Sequence, residues 1–270
     1  MLPAQRRQLI LDILGHRQQL GVDELASELN ASRETIRRDL AVLDAAHRLR
    51  RVHGGAVPLK MGVEDAIQRR RHQHRAEKER IAARAAELFG VGDSLFVDAG
   101  TTTEALARAL ADKRSLTVIT NSVEVASRMW SSRAENHIHL LGGRFDAEVS
   151  ETYGPETLRQ VGQFHADHAV LTIGTVDAAA GFMDFSVDEA AVAVAMIDHA
   201  RSLTVLADHS KLGRTALVQV CGLGRAARLV TSARPPSKLE RALSAAGVDI
   251  IVAEDSSPAR VRRPAAGDVR

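Results

Sequence analysis

From Ser94 onward the chain repeats one pattern: a short apolar run, small or polar residues at its end, then a stretch with helical spacing. The runs are SLFVDAG, LTVITNS, HIHLLGG, AVLTIG, LTVLADHS, RLVTS and DIIVA. Strands separated by helices imply a mainly parallel sheet with helices on both faces. In such sheets ligands sit beyond the carboxyl ends of the strands, and it is there that this sequence places its glycines, hydroxyls and charges. Asp98-Ala-Gly-Thr-Thr-Thr103 ends the first run and opens the helix EALARAL. Gly100, the hydroxyls of Thr101, Thr102 and Thr103, and backbone N–H groups can therefore cradle an anion at a helix N-terminus. Asn121-Ser122 repeats the device, and Gly142-Gly143-Arg144 adds close backbone approach and a cation. Gly174 and Asp208-His-Ser-Lys211 follow the later runs. One such loop is ordinarily a turn or a helix cap. Five at corresponding strand ends point to an anion pocket.

At 270 residues the chain exceeds the usual single domain, and the sixty residues at its start follow a different pattern. Leu9, Ile10, Ile13 and Leu14 recur at helical spacing, predicting a helix from about Pro3 to about Gln18. A shorter helix follows, with Asp23 as its cap and Leu25, Ala26 and Leu29 as its buried face; Ser32 then caps a third. In SRETIRRDLAVLDAAH the residues Ile36, Leu40 and Leu43 define the core side, so Glu34, Arg37, Arg38 and Ala41 point outward. Two neighbouring guanidinium groups on an exposed helix face suit a major-groove reader, because arginine pairs bidentately with guanine or holds phosphate. Ser32, Arg33, Thr35, Arg37 and Arg38 are the candidate DNA contacts of this helix, and the helix-turn-helix spans about 19–38. RLRRVHGGAV behind it reads as a small β-wing, with Arg48, Arg50, Arg51 and His53 placed to meet the backbone or the minor groove. A small helical bundle with a solvated basic face is the alternative reading. Charge agrees with DNA: residues 1–60 carry ten Lys/Arg against seven Asp/Glu, while the remainder is slightly acidic.

The predicted organisation is thus a winged helix-turn-helix over 1–58, a linker helix over 59–75, an α/β domain over 76–253 and a disordered tail over 254–270. Arg69-Arg70-Arg71 in the linker reads as a solvated helix face. The 3% aromatic content argues against stacking platforms for single-stranded nucleic acid. A lone cysteine, Cys221, forms no internal disulfide and, without a Cys/His cluster, leaves no expected metal site; no cofactor is expected either. No leader and no apolar run of ~18 residues stand out, so the expected location is the cytoplasm, with no membrane partner.

TIRRDL followed by RRVHGGA resembles the DeoR family of bacterial regulators, and the resemblance runs from about residue 5 to residue 252. The departures are that His47 replaces a glycine usual in the family, His74 replaces an asparagine, and Ala193 and Val194 stand where many members carry basic residues. DAGTTT, TNS, LLGG and DHSKLGR are similar to the family's effector domain, itself similar in fold to ribose-5-phosphate isomerases. The resemblance implies a phosphorylated sugar or glycerol 3-phosphate as effector, double-stranded operator DNA as partner, and a homo-oligomer, dimer or tetramer, acting as a repressor. It carries over Asp98, Gly100, Thr101, Thr102, Thr103, Asn121, Ser122, Gly143, Arg144 and Lys211 as effector ligands, and Glu189 fits as a partner for sugar hydroxyls or for Lys211. The stretches ADHSKLGRTALVQV and SARPP are most like the glycerol-3-phosphate repressor branch. The alternative is a sugar-phosphate isomerase-like enzyme with an accessory DNA-binding module. The glycine-rich lysine loop and paired aspartates of those isomerases are absent, so no catalytic residues are assigned.

Overall fold

The computed structural model describes residues 2–15, 20–45, 49–52, 54–57, 67–130 and 134–254. Contacts divide the chain into two units, Met1–Glu64 and Asp65–Arg270. The predicted tail, apart from Glu254, lies outside the described residues, as do residues 59–66 of the predicted linker and His16 to Gln18 of the predicted first helix.

The first unit comprises α1 (Pro3–Gly15), β1 (Leu20–Gly21), α2 (Val22–Glu28), α3 (Arg33–Ala45), β2 (Arg50–Val52) and β3 (Gly55–Val57). Ile10 and Leu14 of α1 pack with Leu25, Ile36, Leu40 and Leu43 in one core, whereas Leu9 is exposed. Asp23 does not cap α2. Leu20 and Gly21 are drawn into a strand pairing with Ala56 and Gly55 of β3, so the helix starts at Val22. The Gly21 N–H donates to the Glu24 carboxylate at 2.9 Å. β2 completes the antiparallel wing, in the order β1-β3-β2. A Cβ at Gly55 would lie 2.1 Å from the Leu20 carbonyl oxygen, so the wing closes on β1 only with glycine there.

The second unit opens with α4 (Ile67–His72) and α5 (Arg75–Ala86), separated by His74 at φ 53°, so the connector helix is broken rather than continuous. All seven apolar runs become strands: β4 (Ser94–Val97), β5 (Thr117–Thr120), β6 (His137–Leu140) and, after β7 (Arg144–Asp146) and β8 (Glu151–Tyr153), β9 (Ala166–Thr172). Next come β10 (Thr175–Asp177), β11 (Gly181–Asp184), β12 (Ala200–Ala207), β13 (Val218–Cys221), β14 (Arg228–Thr231) and β15 (Asp249–Val252). The connecting helices are α6 (Thr101–Leu110), α7 (Val123–Trp130), α8 (Pro155–Val161), α9 (Val187–Asp198) and α10 (Ser237–Ala245).

The main sheet runs β15-β14-β12-β9-β4-β5-β6, parallel at every pairing. Alternate residues face opposite cores, as strand geometry requires. Leu95, Val118 and Val170 pack with Ile81 of α5 and Leu106 of α6; Phe96, Ile119 and Ala169 pack with Met196 of α9 and Leu243 of α10. Two small antiparallel sheets were not evident from the sequence: the β7–β8 hairpin, and β10-β11-β13. After β4 the chain moves outward through β5 and β6, then returns to place β9 on the other side of β4. The strand order reverses between β4 and β9, the position where open α/β sheets leave a crevice for ligands.

Candidate functional site

In the first unit, α3 begins at a cap: the Thr35 N–H donates to Ser32 Oγ at 3.1 Å. Burial of Ile36, Leu40 and Leu43 leaves Arg37 and Arg38 exposed. The helix is held from behind by Asp39, 2% exposed, which accepts from Arg6 Nε at 2.5 Å and Arg7 Nε at 2.8 Å on α1. Sequence reading missed this pair, since Asp39 sits beside two arginines and reads as one more surface charge. Arg33 pairs with Asp23 at 2.6 Å and Arg38 lies 3.6 Å from Glu34, both pairs being solvent-exposed. Arg37 and Arg51 line one cleft of about 240 Å³ with Asp23 and Val52, so the helix and the wing present cations to the same groove. Arg48, His53 and the Arg50 side chain lie outside the described residues.

In the second unit the crevice between β4 and β9 is bridged by Asp98, whose carboxylate accepts the Thr172 N–H at 3.0 and 2.9 Å. Burial pushes the Asp98 carboxyl well above its usual range, and the charges of Asp184 and Glu189 add to that, against the Thr172 N–H and Lys211. Lys211 Nζ donates to the Ile173 carbonyl at 2.5 Å, at the end of β9. Asp208 beside it is buried, which alone would raise its pKa; Lys211, the Ser210 hydroxyl, His74 and Lys78 hold it below the usual carboxylate range. Asp98, Glu189 and Lys211, all singled out in the sequence, therefore converge.

The neighbours of this trio include residues that sequence reading did not select. Glu151, on β8, is 3% exposed, and burial together with Glu189, Asp98 and Asp184 pushes its carboxyl up to about 9, with Arg70 opposing. It is thus a protonated acid at neutral pH. Among the described residues its Oε1 has no hydrogen-bond partner, nor has Oδ1 of the buried Asn121, whose Nδ2 donates to the Thr152 carbonyl at 3.0 Å. A buried polar atom left unpaired costs about 1–3 kcal/mol, so a polar guest that reached these two atoms would recover that cost.

The remaining candidates divide. Gly100 abuts Thr172, whose Oγ1 would lie 2.4 Å from a Cβ there, so it permits the β4–β9 crevice to close. Thr103 Oγ1 turns back onto the Gly100 carbonyl at 3.0 Å, and Ser122 Oγ accepts the Val125 N–H at 3.2 Å; both act as local caps. Thr101 and Thr102 are buried. A Cβ at Gly143 would meet Thr157 Oγ1 at 2.1 Å, so this glycine serves the packing of α8. Arg144 is exposed, pairs with Asp188 at 2.7 Å and lies 4.4 Å over the Tyr153 ring. The Arg69–Arg71 run is not uniformly solvated. Arg71 pairs with buried Glu104 at 3.0 Å, and with Lys78, Arg108, Arg128 and Thr101 it lines a cavity of about 340 Å³ beside the N-terminus of α6.

Among the described residues no helix is long and apolar enough to cross a membrane. Residues 6–61 match the DeoR-like helix-turn-helix domain and residues 73–233 the DeoR C terminal sensor domain. The chain is 31% identical to the HTH-type transcriptional repressor CsqR of Escherichia coli, over 93% of this chain and 96% of that protein. It is 32% identical to the glycerol-3-phosphate regulon repressor of the same organism, over 90% of this chain and 96% of that one. The HTH-type transcriptional repressor GlcR of Bacillus subtilis is 32% identical, over 94% and 98%. Among solved structures, ribose 5-phosphate isomerase A from Methanocaldococcus jannaschii aligns over 52% of this chain and 55% of that one, with 17% identity and a TM-score of 0.38.

Proposed function

Because the chain belongs to the DeoR family of transcription regulators, we propose that it is a repressor whose hold on operator DNA is set by a phosphorylated sugar bound at the β4–β9 crevice. The observation that carries the reading is a pair of buried atoms, Asn121 Oδ1 and Glu151 Oε1, without a hydrogen-bond partner among the described residues, with Glu151 in the field of Glu189 and Asp98 and Asp98 in that of Lys211. A polyol satisfies them: its hydroxyls donate to Asn121 and Glu189 and accept from the protonated Glu151. The phosphate end finds cations in Lys78 and Lys211, with the α6 N-terminus close by. Glycerol 3-phosphate is the first candidate, through the likeness to repressors named for it.

The reading is of a sensor rather than an isomerase, with Asp98 committed to the Thr172 backbone and Lys211 to the Ile173 carbonyl. On the DNA side, Arg37, Arg38 and Arg51 read or grip the duplex, with Arg33 and Thr35 beside them, and two half-sites require at least a dimer. A thermal-shift screen of phosphorylated and unphosphorylated sugars tests the sensor. At 100 times its Kd a ligand of the folded state adds ~2.7 kcal/mol, so the cognate phosphate ester raises Tm and its unphosphorylated parent does not. Equal shifts from both would remove the phosphate from the account.

A further inference from the structure

His74 replaces the asparagine usual in the family and lies beside two residues far along the chain. It occupies the left-handed bend between α4 and α5, while Asp208 and His209 follow β12. One ligand atom from each of His74, Asp208 and His209 lies within 4.8 Å of the other two, the one such grouping of metal-ligating side chains among the described residues. The two imidazole rings meet edge to face, with centroids 4.9 Å apart.

What surrounds the trio is organised. Glu77 reaches Nδ1 of His74 at 3.1 Å and Nδ1 of His209 at 2.7 Å. Ser232 Oγ donates to the same Glu77 carboxylate at 2.5 Å and accepts the backbone N–H of His209 at 2.9 Å. A carboxylate on Nδ1 fixes ring orientation and selects the tautomer whose Nε2 carries the lone pair, the usual outer shell of a metal-bound histidine. Two imidazoles and one carboxylate form a borderline donor set that suits Zn²⁺ and its neighbours rather than Mg²⁺ or Ca²⁺, which want oxygen. Three protein ligands leave a fourth position open. Sequence reading expects no metal here because 132 residues separate His209 from Glu77 and the chain has no Cys/His run.

We propose that His74, Asp208 and His209 bind a divalent transition-metal ion, Zn²⁺ in the first instance, with Glu77 as the positioning residue for both rings. The test is titration of chelator-stripped full-length protein with Zn²⁺ against a chromophoric chelator, supported by the visible spectrum of the Co²⁺-substituted form. One equivalent per chain is expected. His74→Asn and His209→Ala are each expected to remove that equivalent while thermal melting shows the fold intact, and Glu77→Gln to weaken it about 10- to 100-fold. Should one histidine variant fail to fold, the other decides. The proposal is overturned if the wild type takes up no stoichiometric Zn²⁺, or if uptake survives both histidine substitutions, which would assign it to other histidines. Mg²⁺ competing as well as Zn²⁺ would also overturn it, since it would remove the imidazole chemistry.

Discussion

Two buried acids carry opposite consequences in this molecule. Asp39 is tied to Arg6 and Arg7 across α1 and α3. Asp39→Ala leaves Arg6, whose side chain is only 13% exposed, without its partner. Breaking such a pair costs about 3 kcal/mol, the lower end of the buried range, because Arg7 reaches solvent. Hydrogen exchange should show lost protection in α1 and α3 and none in the main sheet; equal loss in both units would contradict a local role. Glu151 is the reverse case, a carboxyl raised to about 9 by burial. Between its ordinary range and pH 9 the native state holds this proton and the unfolded chain does not, so its contribution to stability is full in acid and falls as pH rises. Glu151→Gln removes that slope. The Tm of the variant should therefore gain on the wild type from pH 5 to pH 9. Each tenfold change in the acid's dissociation constant is worth about 1.4 kcal/mol, and about 1 kcal/mol moves Tm by 2–4 °C in a domain of this size. A Tm difference constant with pH would place Glu151 in contact with solvent.

At the scale of elements, the proposed function makes α3 and the wing the reading head, and the exposed Arg37 and Arg38 are surface groups whose loss leaves the core intact. Arg37→Ala or Arg38→Ala should weaken specific operator binding by ~1–3 kcal/mol where the side chain makes a bidentate base contact, and should lower the salt slope by about 1 where it holds phosphate. Anisotropy titrations at several salt concentrations separate the two; unchanged affinity in both variants removes α3 from the reading role. The central strands of the main sheet were legible because they are apolar runs covered on both faces, whereas β6, HIHL at the sheet edge and mostly exposed, shows only an alternation of apolar and polar residues. The strands of the small sheets are three or four residues long and pair across the chain, as β11 does with β13, so no local periodicity announces them. Glu151 and Asp184 lie on those strands, which is why a reading that selected Asp98, Glu189 and Lys211 did not select them. Ser122, Thr103 and Gly143 show the converse: polar and small residues at strand ends serve caps and packing as readily as ligands.

For the whole molecule, the proposed function requires that the two units exchange free energy. A ligand that binds the DNA-competent and DNA-incompetent forms equally well changes nothing, however tightly it binds. Coupling in regulators of this kind amounts to ~1–3 kcal/mol, a 5- to 150-fold change in affinity, and it is reciprocal: operator must alter ligand affinity by the same factor that ligand alters operator affinity. The most direct measurement is therefore operator affinity with and without the phosphate ester identified by thermal shift, set beside ester affinity with and without operator, for the wild type and for Lys211→Ala. The account predicts equal factors in the wild type, and in Lys211→Ala an unchanged operator affinity that no longer responds to the ester. A broad panel of phosphorylated sugars that leaves wild-type operator affinity unmoved, or a response that survives Lys211→Ala, would contradict it.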